Sequence, residues 1–171
     1  MDLTSLSTIH NLAQAQQHLE AAKSWKVQGD QAADVASAVS LYRRSTGEAE
    51  TAALIATTVT QVLAGLNPAL APYDAAATNE AQSATASVSD AGQTSDRATA
   101  QQAAAAGVAA ATQGLAYATQ ANKLWVQPPR VTLGATGILL GLAGLAGLVG
   151  YFIWRRQQTE AATVLPAAVH A

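Results

Sequence analysis

Three histidines and eleven carboxylates are the side chains of this 171-residue sequence that could serve acid–base or metal chemistry, and the chain has no cysteine. His10 and His18 lie eight residues apart, whereas a helical metal pair uses the i, i+4 spacing that puts both rings on one face. No carboxylate accompanies both of them, and His170 is distant in sequence. The histidines are therefore predicted to be solvated surface residues, and no metal site is predicted.

The carboxylates are scattered and form no catalytic set. Asp30 and Asp34 are one helical turn apart, and Glu48 and Glu50 share a turn, but both pairs are better explained as negative charges at helix amino-termini. The sequence contains no G-x-S-x-G nucleophile motif and no G-x-x-x-x-G-K phosphate loop. We therefore predict no catalytic residue, no cofactor and no small-molecule substrate, and the protein is not expected to be an enzyme.

Composition limits the partners and the core. Only 5% of the residues are aromatic and 12% are charged, well below the usual charged share of about a quarter. Ten acidic and six basic side chains precede residue 128, so no basic patch predicts nucleic-acid binding. With so few large apolar side chains, the helical region is expected to have a shallow core that is stabilised partly by assembly.

One apolar run dominates the rest of the sequence. Val131 to Trp154 carries no charge over 24 residues. As a helix it would be roughly 36 Å long, enough to cross a hydrocarbon core of about 30 Å. The sequence therefore predicts a transmembrane helix. Aromatic and cationic side chains at its two ends are predicted to be membrane-interface anchors, namely Trp125, Arg130, Tyr151, Trp154, Arg155 and Arg156.

The predicted span has one thin face. At 100° per residue its glycines gather on one side, and this predicted packing face comprises Gly134, Gly137, Gly141, Gly144 and Gly147. Small residues allow helix backbones to approach closely in a bilayer, where no hydrophobic force drives association. The expected partners are the lipid bilayer and a transmembrane helix, belonging either to another subunit or to a second copy of the chain. Glycine is also common in membrane helices in general, which is the alternative explanation.

Helical periodicity extends through residues 1–67, which are predicted to form an amino-terminal region of three helices. The first helix runs from about Ser7 to Val27, with Gly29 as its stop. Asp30 caps a second helix that ends near Arg44, and Ser45 to Glu48 has the spacing of a capping box for the third. The third helix carries the most regular apolar stripe of this region, formed by Ala52, Ile55, Val59, Val62 and Leu66.

Asn67 and Pro68 then predict a break, because proline disfavours helix at the preceding residue. Residues 68–127 are predicted to form a helical arm or hairpin rich in Ala, Gln and Thr, residues 128–154 a proline hinge with the transmembrane helix, and residues 155–171 a short mobile tail. The predicted fold is all-α: a helical bundle or helical hairpins of about four to five Ala-rich helices, followed by one C-terminal transmembrane helix. Small residues at helical spacing mark the arm, including Ala77, Ala81, Ala84, Ala91, Ala104, Ala111 and Ala118.

The first half of the sequence resembles the helical hairpins of tetratricopeptide-type repeats at Ala22, Trp25 and Gly29. That resemblance implies stacked hairpins that bind peptides. The sequence departs from the pattern at Asp34, where the family has a small residue, and its turns are eighteen residues apart without a 34-residue period. No family is assigned on these residues.

The first twenty residues lack an early cation and an apolar core, so no secretory signal is predicted. The domain before the span is accordingly expected in the cytoplasm. Three hypotheses remain: a structural or assembly subunit of a membrane complex, a secreted membrane-inserting protein of translocator type, and a helical-bundle sensor or peptide-binding adaptor.

Overall fold

The computed structural model describes residues 3–126, which form four long α-helices and contain no β-strand. This confirms the all-α prediction for this part of the chain. The helices are α1 (Leu3–Gln31), α2 (Val35–Leu66), α3 (Ala71–Gln93) and α4 (Arg97–Val126), with a short 3-10 turn at Pro68–Leu70. The predicted transmembrane helix, its hinge and the tail lie outside the described residues.

Consecutive helices run antiparallel, as their short connections require. Contacts between α1 and α2 pair Ala22 with Ser45, and contacts between α2 and α3 pair Thr57 with Ala77. The diagonal helices α2 and α4 also pack against each other and run parallel, while α1 and α3 flank them. Residues from both sides of the Asn67–Pro68 break therefore belong to one four-helix bundle.

Residues 3–66 form two helices, so the predicted three-helix region is wrong. The supposed capping box lies inside α2, where its hydroxyls bind carbonyl oxygens instead of starting a helix. Ser45 Oγ donates to the Ala22 carbonyl at 2.7 Å, and Thr46 Oγ1 donates to the Arg43 carbonyl at 2.9 Å. Gly47 continues the helix, since no glycine of the described chain has a positive φ.

The actual helix boundaries have local causes. Asp34, and not Asp30, is the N-cap of α2, and its side chain accepts a bond from the Ser37 amide at 2.8 Å. Asn67 ends α2 as predicted, and its side chain accepts from the Ala69 amide at the start of the 3-10 turn. Asp96 accepts from the Thr99 amide at 2.8 Å and so fixes the first turn of α4.

Alanine fills most of the core. The predicted alanine stripes of α3 and α4 are confirmed, because their members are at most 5% exposed. Gly107 lies where α4 comes closest to its neighbours: a Cβ at this position would be 3.6 Å from Ala49 Cβ and 3.3 Å from Ser87 Cβ. Side chains this small allow helices to pack closely, but each one buries little apolar area.

The apolar stripe predicted for residues 52–66 is only partly buried. Ala52 and Val59 are in the core, whereas Val62 is 47% exposed and Leu66 is 52% exposed. Leu63, one residue after Val62, occupies the core instead and packs in the same cluster as Val59 and Leu70. Ile9 in α1 is likewise exposed.

Within residues 3–126, α2 is the one helix long and apolar enough to cross a membrane by length and composition. Of its most apolar window, 44% is buried inside the bundle. The central helix of a soluble protein has the same character.

Candidate partner-binding surfaces

A polar network connects three helices at the end of the bundle where α1 ends and α4 begins. The Asp30 carboxylate accepts hydrogen bonds from Lys26 Nζ at 2.9 Å, from the Tyr42 hydroxyl at 2.8 Å and from Gln101 Nε2 at 2.7 Å. The Lys26 bond is the main reason that the pKa of Asp30 lies below its usual value, and the bonds from Tyr42 and Gln101 add to it, while partial burial opposes the shift. Burial, followed by the bond to Asp30, raises the pKa of Tyr42.

At this same end, two arginine side chains donate hydrogen bonds to carbonyl oxygens at helix carboxy-termini. We call these contacts the arginine closures, and this end of the bundle the charged end. Arg97, at the start of α4, donates to the carbonyl oxygens of Gly29, Asp30 and Ala32 at 2.9–3.2 Å, where α1 ends. Arg43, in α2, donates to three carbonyl oxygens where α3 ends, at 2.8–3.3 Å. Cations are favoured at helix carboxy-termini, where the last carbonyl groups lack partners.

An open groove of about 630 Å³ lies between α1 and α4. Its floor is apolar, with Leu19 and Leu115, and Lys23 and Lys123 line it as its charged residues. Lys23 already pairs with Glu20 at 2.9 Å. The groove could receive an amphipathic segment, because its lining combines apolar side chains with the polar side chains of Gln16, Thr112, Thr119 and Gln120.

The opposite end of the bundle is apolar and poor in charge. Six of the nine large apolar side chains that are exposed on the described bundle lie within about two helical turns of this end. We call it the apolar end; the six residues are Leu6, Ile9, Val62, Leu66, Leu124 and Val126.

Surface pairs lie along the outside of α1 and α2. His18 Nδ1 is 2.7 Å from Glu48 Oε2, and the Arg44 guanidinium lies 5.3 Å from the centre of the Trp25 ring. The His18 side chain is 39% exposed. Residues 3–126 contain no group of three or more side chains placed to hold a metal ion.

One of the predicted site residues lies in the described chain. Trp125, a predicted interface anchor, is the penultimate residue of α4 and packs, partly buried, against the cluster that contains Val59, Leu63 and Leu70. The other anchors (Arg130, Tyr151, Trp154, Arg155 and Arg156) and the glycine packing face (Gly134, Gly137, Gly141, Gly144 and Gly147) lie outside the described residues.

Sequence reasoning missed both the Asp30 network and the two arginine closures. Apart from the i, i+4 pair of Lys26 and Asp30, their members are up to 71 residues apart in the chain, so local spacing does not indicate the remaining bonds. A partial signal existed for Arg97, because α4 contains one other charged residue, Lys123, and a cation is favoured at a helix carboxy-terminus.

Comparison with known proteins gives no relative: no family model, no curated protein and no solved structure matches this chain.

Proposed function

We propose that this chain is a non-enzymatic, single-pass membrane protein that acts as a structural or assembly subunit of a membrane complex. The observation that carries the proposal is the uncharged run Val131–Trp154 with its glycine face, which follows the bundle in sequence. A run of this length and composition is typical of a spanning helix. Its small residues favour close packing against another helix in the bilayer.

The bundle supports a scaffolding role. Its core is filled by its own side chains, and the buried hydroxyls of Ser45, Thr57 and Thr60 each reach an acceptor on a neighbouring helix. A bundle with this packing presents fixed surfaces to partners instead of a cavity for a reaction. In the proposal the bundle lies in the cytoplasm, the C-terminal helix anchors it to lipid, and the partner is a transmembrane helix of another subunit or a second copy.

Substitution on the glycine face tests the packing part of the proposal. We expect Gly141→Ile to reduce the oligomer or complex recovered in mild detergent, because a branched side chain would separate the two backbones. Leu142→Ile, at a position of the same predicted span outside the glycine packing face, is the matched control and should leave the assembly intact. Unchanged assembly of the Gly141 variant would show that the glycine face is not the interface.

Flotation and protease protection test the membrane part. The full chain should float with lipid vesicles and resist extraction by alkaline carbonate. In sealed inside-out vesicles, protease added outside should cut the exposed connection between α3 and α4 at Ser95 and Asp96 if the bundle is cytoplasmic. Release of the chain by carbonate would refute the anchor, and protection of this connection would refute the topology.

The apolar character of α2 favours a second candidate, a secreted translocator-like protein that inserts into membranes. Insertion of α2 would require the bundle to open, since 44% of its most apolar window is buried. A full chain that purifies without detergent and then permeabilises vesicles would support this candidate over the scaffold.

The groove between α1 and α4 favours a third candidate, a peptide-binding adaptor or sensor. Binding of amphipathic helical peptides to the full chain would support it.

A further inference from the structure

The two ends of the bundle differ in the surroundings of their exposed apolar side chains. At the charged end, Val27 and Val35 are each 51% exposed, but they lie among Lys26, Asp30 and Asp34. At the apolar end, α2 carries no charge after Glu50, and α1 carries none between its first residue and Glu20. The surroundings of Leu66 and Val126 therefore contain few charged side chains. Moving this surface out of water would cost little hydration free energy.

Among the described residues, the charged side chains nearest the apolar end are Asp74, Glu80 and Lys123. The Asp74 carboxylate accepts a bond from Thr60 Oγ1 at 3.0 Å, so it is already partly satisfied within the protein. Glu80 lies nine residues into α3, roughly 13 Å from the end of the bundle along the helix. Lys123 has a long aliphatic stem that can lie along an apolar surface while its ammonium group reaches a phosphate.

Two aromatic side chains complete this surface. Trp125 and Tyr73 are partly buried against the core, and each combines an apolar ring with one polar group. Such side chains are enriched where hydrocarbon meets water.

The sequence indicates what covers this surface. From Val126, at the apolar end, only four residues precede the run that starts at Val131. Val126 and Val131 are thus five residues apart along the chain, a separation that spans at most about 18 Å. The predicted span is therefore joined to the apolar end of the bundle by a short connection.

We propose that the apolar end rests on the lipid surface, with Leu66, Leu124 and Val126 entering the headgroup region of the bilayer. This inference depends on the membrane anchorage proposed above for Val131–Trp154. It adds that the bundle is a peripheral lipid-contacting element in its own right. Apolar side chains that enter the headgroup boundary beside a cation are the ordinary means of such contact.

Single-cysteine labels in the full chain test the proposal, since the natural sequence has no cysteine. Leu66→Cys and Val35→Cys place an environment-sensitive fluorophore at the two ends of α2, at positions of nearly equal exposure, 52% and 51%. Val126→Cys and Val27→Cys repeat the comparison on other helices. The labelled chains are reconstituted into phosphatidylcholine–phosphatidylglycerol vesicles that carry a quencher at a shallow lipid depth, and circular dichroism verifies the helical content of each variant.

We expect blue-shifted emission and severalfold stronger lipid quenching for labels at 66 and 126 than for labels at 35 and 27. Equal, weak quenching at all four positions in chains that float with the vesicles would overturn this inference while leaving the anchor intact. Blue-shifted emission without lipid quenching at residue 66 would overturn it as well, because the surface would then be covered by protein, such as a second copy. Chains that do not float would overturn both the anchor and the lipid contact.

Discussion

The ring of Tyr42 lies directly over Gly29, and a Cβ at position 29 would be 2.7 Å from Tyr42 Cε1. Tyr42 is completely buried and belongs to α2, so this contact fixes how closely α1 and α2 approach. We expect Gly29→Ala to lower the free energy of unfolding by about 1–2 kcal/mol, because overpacking exceeds the gain in helix propensity. Urea denaturation followed by circular dichroism measures the change.

Gly47→Ala is the matched control, because nothing lies within 4 Å of a Cβ at this helical position. This substitution should raise the free energy of unfolding by about 0.5–1 kcal/mol. If the two alanine variants were equally stable, the close approach of Tyr42 to position 29 would be contradicted.

Loss of Arg97 should loosen the end of α1. Arg97→Gln removes hydrogen bonds from a charged donor to three carbonyl oxygens, and we expect a loss of about 1–2 kcal/mol. Hydrogen exchange should also accelerate at the last amides of α1. In the control Arg44→Gln, an exposed cation is removed from the Trp25 ring, which should cost only about 0.5 kcal/mol. Similar losses in both variants would argue against a special role for Arg97.

The stability of the bundle should fall with acid through Asp30. The pKa of this carboxyl is lower in the folded chain than in the unfolded chain, chiefly because of the hydrogen bond from Lys26. The contribution of Asp30 is therefore complete above the unfolded pKa of about 4 and disappears as the pH falls through the folded pKa. We expect the stability difference between the natural chain and Asp30→Asn to shrink between pH 5 and pH 3.

Urea denaturation at a series of pH values measures this difference. Comparing two chains that differ at one position separates Asp30 from Asp34 and Asp96, whose pKa values are also lowered, in their case mainly by backbone hydrogen bonds. A difference that stays constant with pH would contradict the assignment.

Thr60 should contribute more to the stability of the bundle than its exposed neighbour Thr58. The buried Thr60 hydroxyl can donate to the Thr57 carbonyl at 2.9 Å or to the Asp74 carboxylate at 3.0 Å. Thr60→Val keeps the shape and removes this bond between α2 and α3, so we expect a loss of about 1–2 kcal/mol. Thr58→Val removes a bond within α2 at the surface and should change stability by less than about 0.5 kcal/mol. Equal effects would refute the importance of the contact between the helices.

The sequence predicted the parts of the fold that depend on local pattern. The alanine spacing of α3 and α4 and the break at Asn67 follow from helical period and proline chemistry, and both are found. The predicted boundary at Ser45–Glu48 failed because a capping-box spacing also occurs inside helices, where hydroxyls bond to carbonyl groups of the same or a neighbouring helix.

The features of the surface depended on tertiary structure and could not be predicted. The bond between Gln101 and Asp30 forms because α1 and α4 are neighbours in the bundle. Leu66 is exposed because Leu63 occupies the core position near the end of α2. A helix can carry more apolar residues along one side than the core can bury. The sequence alone does not show which of them face solvent.

The two arginine closures have a mechanical consequence. Arg43 crosses from the α1–α2 hairpin to α3, and Arg97 crosses from the α3–α4 hairpin to α1. Each hairpin thus holds the other through an arginine at the end of the bundle farthest from Val126. Separating the two hairpins would break the hydrogen bonds of both arginines. A pulling force applied at Val126 would be distributed over all four helices. The bundle should therefore unfold cooperatively under force, as one unit.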